Sequence, residues 1–261
     1  MIRKRKVVPK MLVTEGERFV AFFDILGFGS WVESEGSKKV FTYVRGFLNL
    51  MVRSSLPGST VHQDKSVDIQ KSDIGYINFS DSIVFYSRND SYHCLKAMLT
   101  VCGEFMNVVI CGPSRMLRGA IAHGEFYADP KANAYVGKAL IDAFHLEEDQ
   151  DWLGLSLHDS VEVIKDFPKA LKEHKGFIVK SLISLKNKPK KLPYCINWAN
   201  KNYLNASFDA MSSIETCYNR GLVSLQGNSE ELKKLTRRIK NTKDFLKYYN
   251  PKIEFKGIRK K

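Results

Sequence analysis

The sequence predicts an α/β sandwich, in which strands alternate with two or three covering helices rather than forming an all-helical bundle. Two observations carry this. Apolar runs such as "FVAFFDILGF" and "INFSDSIVFY" are rich in Phe, Val and Ile, as buried strands are. Elsewhere, in "KKVFTYVRGFLNLMV" and over residues 91–110, the apolar positions recur at helical spacing. Size agrees, since 261 residues with 44% hydrophobic content allow a sizeable core.

The elements follow in order. Residues 18–26 read as a buried strand. From Val40 the positions Val44, Phe47, Leu48, Met51 and Val52 mark an amphipathic helix, ended by "SSLPGS". Residues 58–73 are polar and predict a loop. "DIGYINFSDSIVFYS" predicts two short strands with Ser80 and Asp81 at the turn between them. A helix over 91–110 buries Leu95, Met98, Leu99, Cys102, Phe105, Met106 and Val109, and "CGP" stops it. "MLRGAIAHGEFYA" predicts a strand, "YVGKALIDAFHLEEDQ" a turn into a helix, and "WLGLSLHDSVEVI" a further strand and a short helix or turn. After Lys165 the chain turns lysine-rich, with an inserted helix, an edge strand, and two closing helices over 206–220 and 230–249. No flexible linker separates this part, which predicts an elaboration packed on the main domain; a small independent helical module is the alternative.

Composition narrows the function. No apolar run reaches the length of a bilayer span, and "MIRKRKVVPK" is not followed by a secretion signal's apolar segment, so a cytoplasmic protein without membrane contact is expected. Cys94, Cys102, Cys111, Cys195 and Cys217 are odd in number and form no CxxC, which predicts buried thiols. The six histidines show no zinc-ligand spacing. Net charge is +13, and residues 165–191 alone hold nine lysines against Asp166 and Glu173. Such a surface suits a phosphate-bearing partner, but no nucleic-acid recognition module accompanies it.

Two carboxylates interrupt the strand-like runs: Asp24 in the first and Asp81 in the second. A carboxylate in an apolar strand is costly unless paired, hydrogen-bonded or bound to a cation. Taken singly, Asp24 reads equally well as a helix cap and Asp81 as a turn residue. Taken together, on neighbouring strands of one sheet, they can share hard cations such as magnesium or manganese, with the carbonyl of Ile25 as a third oxygen.

"FFDILGF", "FSDSIVF", "LRGAIAHGEF" and "YVGKALIDAFHLE" together resemble the catalytic core of the class III nucleotidyl cyclases, and are most similar to the pyrimidine cyclases of bacterial Pycsar anti-phage systems. The resemblance covers residues 18–165, leaving a basic arm over 1–17 and the lysine-rich elaboration over 166–261. It implies a ferredoxin-like, mostly antiparallel sheet covered by helices. It also implies two divalent ions, Mn2+ or Mg2+, on Asp24, Asp81 and the Ile25 carbonyl. The implied reaction converts UTP, slightly preferred, or CTP to its 3′,5′-cyclic monophosphate and pyrophosphate, in a head-to-tail homodimer. The product would act on a separate effector gated by the cyclic nucleotide.

Within that frame the amides of Leu26, Gly27 and Phe28 can meet phosphates if a helix starts there, although Gly27 also reads as an ordinary tight turn. The family's ribose-orienting Asn and transition-state Arg fall on Ile141 and His145, so the first role is missing and His145 is the candidate for the second. The family's base-reading Lys falls near Ile77 and its acidic partner near Ala134; with Tyr76, Asn78 and Tyr135 close by, these disfavour the usual purine recognition. Arg118 reads as a phosphate ligand or a structural residue, Arg45 as a further phosphate candidate, and Asp142 and Glu147 as surface or capping groups.

Overall fold

Side chains alternate across the first strand, β1 (Glu17–Ile25), and both sides are apolar: Phe19, Ala21, Phe23 and Ile25 enter one core, Val20 and Phe22 another. A strand buried on both faces belongs in the interior of a sheet, and β1 lies fifth from one edge and third from the other. The computed structural model describes residues 13–48, 60–61, 67–68, 72–112, 114–183, 185–187, 192–200, 209–225 and 228–251.

After β1 come helices α1 (Phe28–Glu35) and α2 (Ser37–Tyr43), the second running into a π-helical turn, Val44–Leu48. Two short strands, β2 (Thr60–Val61) and β3 (Val67–Asp68), pair with each other. Then follow β4 (Ile74–Phe79), β5 (Ser82–Ser87), α3 (Tyr92–Cys111), β6 (Leu117–Glu125), β7 (Tyr127–Asp129), β8 (Ala134–Val136) and α4 (Lys138–Asp149). The remainder is β9 (Leu155–Leu157), α5 (Asp159–Glu162), α6 (Phe167–Glu173), β10 (Ile178–Lys180), β11 (Tyr194–Ile196), α7 (Ala210–Ser224) and α8 (Ser229–Tyr249). Seven strands form one mixed sheet in the order β10-β11-β9-β6-β1-β5-β4, antiparallel throughout except for the β6–β9 pair.

One face of the sheet carries the larger core. Phe23, Phe85 and Phe105 meet edge-on there, with ring centroids 5.2 to 5.9 Å apart. Helix α3, capped by Ser91, supplies most of the cover. By length and composition α3 could cross a bilayer, contrary to the sequence expectation of no such segment. Its apolar side chains are instead consumed by the core: Leu95, Met98, Leu99, Cys102 and Phe105 are fully buried. Ile214 of α7 and Leu235 and Phe245 of α8 enter the same cluster. All five cysteines are buried and unbridged, and burial pushes the Cys111 thiol up to about 11.

The other face is covered by α4 and the β7–β8 hairpin over a smaller cluster that includes Val20, Val84, Tyr86 and Phe126. Gly137 makes this packing possible. A Cβ there would stand 2.3 Å from the Glu125 carbonyl oxygen and 2.6 Å from the Phe126 Cα, both backbone atoms that cannot swing aside.

Several expectations change. The segment "FGSWVESE" forms α1, which helical periodicity did not mark. The helix from Val40 is α2 plus the π turn, and its expected continuation over 49–52 lies outside the described residues, as does most of the N-terminal arm. The expected loop over 58–73 contains the β2–β3 ladder. The strand over 116–128 breaks at Phe126, so that β7 can pair with β8 instead of extending β6. The chain beyond Lys165 adds two strands to the main sheet as well as helices to its core.

Candidate functional site

Asp24 and Asp81 meet where β1 ends. The β4–β5 turn is Ser80 and Asp81, with Ser80 in the left-handed region at φ 56°. Across the β1–β5 ladder Asp24 pairs with Ser82, the neighbour of Asp81, and the Ile25 amide donates to the Asp81 carbonyl at 3.1 Å. The Asp24 side chain is half-buried on the face shared with Phe22 and α4. Its carboxyl is pushed up from 3.8 to about 6, first by burial and then by the charge of Asp81, while Arg118 and Arg238 pull the other way. A cation between the two carboxylates would relieve both causes.

The donor set fits a hard divalent cation. Among the described residues no three His, Cys, Asp or Glu side chains gather into a ligand cluster, so no cage built from protein side chains alone forms. Two carboxylates and the backbone carbonyl of Ile25, whose own side chain is in the core, are the kind of partial oxygen shell that substrate phosphates and water complete.

The neighbouring turn is shaped for close approach. Gly27, at φ 76°, turns the chain left-handed into α1, with no side-chain cap on the helix. Asp24 therefore does not cap α1. The amides of the first turn, beginning at Phe28, have no intrahelical acceptors. The expectation for Leu26 narrows, because its amide already donates to the Met116 carbonyl at 3.0 Å. Beside the Asp81 turn a cleft of about 480 Å³ opens between Phe28, Val40, Phe41, Asn78 and Ser80, with Arg45 on its lining.

Arg118 sits directly opposite Asp24 on β6, but it is not a free phosphate ligand. It is almost fully buried, its Nε donates to Glu147, and its Nη1 donates to the Gln150 carbonyl at 2.8 Å. Glu147 is likewise no surface or capping group: it is 2% exposed, and burial pushes its carboxyl up to about 7 against the pull of Arg118. Asp142 is held by Lys138 one helical turn away.

Gln150 extends the network. Its side-chain amide donates to the Gly119 carbonyl at 2.7 Å, and its oxygen accepts from Trp152 at 3.1 Å and Ser156 at 2.6 Å. Next to it, Asp151 pairs with Arg237 and Arg238 of α8. The sequence does not single out Gln150, Asp151 or Arg238, and it marks Glu147 only as a surface or capping group. The one available signal was "EEDQDW", where a tryptophan needing a partner for its N–H follows a polar run.

The other expected residues separate into two groups. Ile77 and Tyr135 pack with Phe22 and Leu140 on the Asp24 side of the sheet. Tyr76 faces the larger core and Asn78 the cleft beside Asp81. His145 is exposed on α4, its ring 5.5 Å from that of Phe144, and among the described residues no hydrogen bond or ion pair joins it to Asp24 or Asp81. Ile141 is also exposed, at 55%.

No model of a known protein family matches the chain, and no curated protein sequence matches it. Among solved structures of similar outline, the catalytic core of a rhodopsin-guanylyl cyclase with converted specificity, in complex with ATPalphaS, is 15% identical over 70% of this chain and 95% of that one, at a TM-score of 0.47. The guanylyl cyclase Cya2 is 13% identical over 71% and 93%, at 0.44. A bacterial light-regulated adenylyl cyclase is 12% identical over 80% of this chain and 58% of its own length, at 0.43. Likenesses at TM-scores below 0.5 carry no functional argument.

Proposed function

We propose that this protein is a metal-dependent nucleotide cyclase of the class III type, acting on a pyrimidine nucleoside triphosphate, UTP before CTP. The observation that carries the reading is the pair Asp24 and Asp81, joined at the end of β1 through the Ile25–Asp81 hydrogen bond. Its family assignment rests on the motif resemblance around those two residues. In the reaction the ribose 3′-oxygen attacks the α-phosphorus, the bond to pyrophosphate breaks, and the hydroxyl proton passes to solvent.

Two divalent ions, Mn2+ or Mg2+, held by Asp24, Asp81 and the Ile25 carbonyl, would stabilise the negative charge that develops on the phosphates and the attacking oxygen. The chain's own groups do the rest. Gly27 and Phe28 offer amides to the phosphates at the start of α1. Arg118 steadies Asp24 from behind by tempering its charge. Ile77 and Tyr135 form an uncharged wall for the base, which lacks the charged pair that reads adenine.

The exposed apolar residues Val136, Ile141 and Phe144 would be covered in a head-to-tail homodimer, which would bring His145 of one subunit to the carboxylates of the other. The cyclic product would act in the cytoplasm as a messenger to a separate antiviral effector. No membrane or stable nucleic-acid partner is involved. Exposed Ile141, where the family has its Asn, favours a second reading as a silent, nucleotide-binding relative.

Incubation of the protein with Mn2+ and each of ATP, GTP, CTP and UTP, with products identified by mass, separates the two. A 3′,5′-cyclic pyrimidine nucleotide that Asp81→Ala abolishes is the expected result. No cyclic product from any of the four, with nucleotide binding retained, would select the silent relative.

A further inference from the structure

Behind the β1–α1 turn, a second cleft of about 770 Å³ opens between α1 and α7. Ile25, Leu26 and Gly27 form part of its lining. Successive side chains point to opposite faces of a strand, so Ile25, which lines this cleft, and Asp24 look away from each other. Its size is that of a small-molecule site.

The charge of the lining is one-sided. Among the described residues of the lining, Lys39, Arg115 and Arg220 contribute three cations and Glu35 one carboxylate. Glu35 is nearer to Lys39, at 2.9 Å, than to Arg115, at 3.7 Å, which is beyond hydrogen-bond distance. The arginines are held in place by the protein. Arg115 lies over the Trp31 ring, 3.6 Å from its centroid, and Arg220 donates to the Ser114 carbonyl at 3.4 Å. Ser34, Thr216 and Asn219 add polar side chains to the lining.

We propose that this cleft is a second ligand site, taking a phosphorylated small molecule of nucleotide size, with Arg115, Arg220 and Lys39 as its anion-binding groups. Two positioned guanidinium forks match phosphate oxygens better than point charges do. The volume exceeds what inorganic phosphate alone would fill, leaving room for an organic body against Met116 and Val223. A ligand bound there bears on Leu26 and Gly27, the backbone leading out of Asp24. The inference stands apart from the cyclase reading, since it needs neither metal nor turnover. It gives α7, from the lysine-rich part of the chain, a role in binding.

The test is calorimetric titration of the full chain in EDTA with UMP and with inorganic pyrophosphate. Removing divalent ions takes the carboxylate pair out of contention. The expected result is binding of UMP that Arg220→Glu weakens at least tenfold and Asp81→Ala leaves unchanged. If Arg220→Glu melts early, Lys39→Glu, at an exposed position on α2, puts the same question. The proposal is overturned if neither probe binds, if charge reversal leaves binding as it was, or if Asp81→Ala removes it.

Discussion

Asp24 and Arg118 stand directly opposite one another across the β1–β6 ladder, yet the guanidinium donates to Glu147 and the Gln150 carbonyl. The arginine lowers the cost of the Asp24 charge without neutralising it, and the carboxyl remains raised to about 6. Asp24 is thus partly desolvated and incompletely compensated, as a cation-binding group must be before the cation arrives.

That arrangement makes Asp24 a liability to the metal-free fold. In the unfolded chain its carboxyl titrates near 3.8, and in the folded chain near 6, so between these values the folded state holds a proton that the unfolded state has released. The group's contribution to stability is therefore full below 3.8 and lost as pH rises through about 6. Asp24→Asn removes the penalty, and the metal-free variant should be more stable than the parent at about pH 7.5, by roughly 1 to 2 kcal/mol after allowance for partial exposure. The two should converge in acid. Thermal melts across pH check this, and Mn2+ should raise the melting temperature of the parent but not of the variant. A variant less stable than its parent at neutral pH would sink the argument.

The Arg118–Glu147 pair is expected to behave as a unit. Arg118→Met alone strands a buried carboxylate and should cost about 3 to 5 kcal/mol. Adding Glu147→Met should recover part of that loss, although the Gln150 carbonyl still lacks its donor. Urea unfolding of the four members of the cycle measures the coupling. Simple additivity would mean that the two side chains do not depend on each other.

Shared sites in the proposed dimer can be tested by complementation. His145→Ala, at an exposed position, should change stability by no more than about 0.5 kcal/mol. If each site takes its carboxylates from one chain and His145 from the other, mixing inactive Asp81→Ala with inactive His145→Ala after subunit exchange restores about a quarter of the parent activity. The quarter arises because half the dimers are mixed and each has one intact site. A mixture as inactive as its components would exclude composite sites.

Much of this architecture could be read from the chain because its signals are local. The alternation of Phe and Val around Asp24, the turn residues at Ser80 and Asp81, and the apolar spacing in Tyr92–Cys111 each depend on neighbours close in sequence. Helix α1 carries little helical signal in its eight residues, which include Gly29 and are bounded by Gly27 and Gly36, and its position is set by packing. Strands of three residues, such as β10 and β11, are too short to show a period. Glu147 is indistinguishable from Glu148 in sequence, but only Glu147 turns inward to Arg118. Such burial is decided by what lies opposite, and Arg118 is 29 residues away along the chain.

Leu153 gives its amide to Thr242, 89 residues later, and Trp152 packs on Phe245 with ring centroids 4.5 Å apart. The same core holds Phe23. On a ribosome, β1 therefore emerges long before the strands and the α8 helix that complete its surroundings. Contacts this distant in sequence slow folding and prolong the exposure of aromatic surface in partly made chains. The core face of β1, where Phe23 lies, is therefore fully covered only after the last helix has emerged.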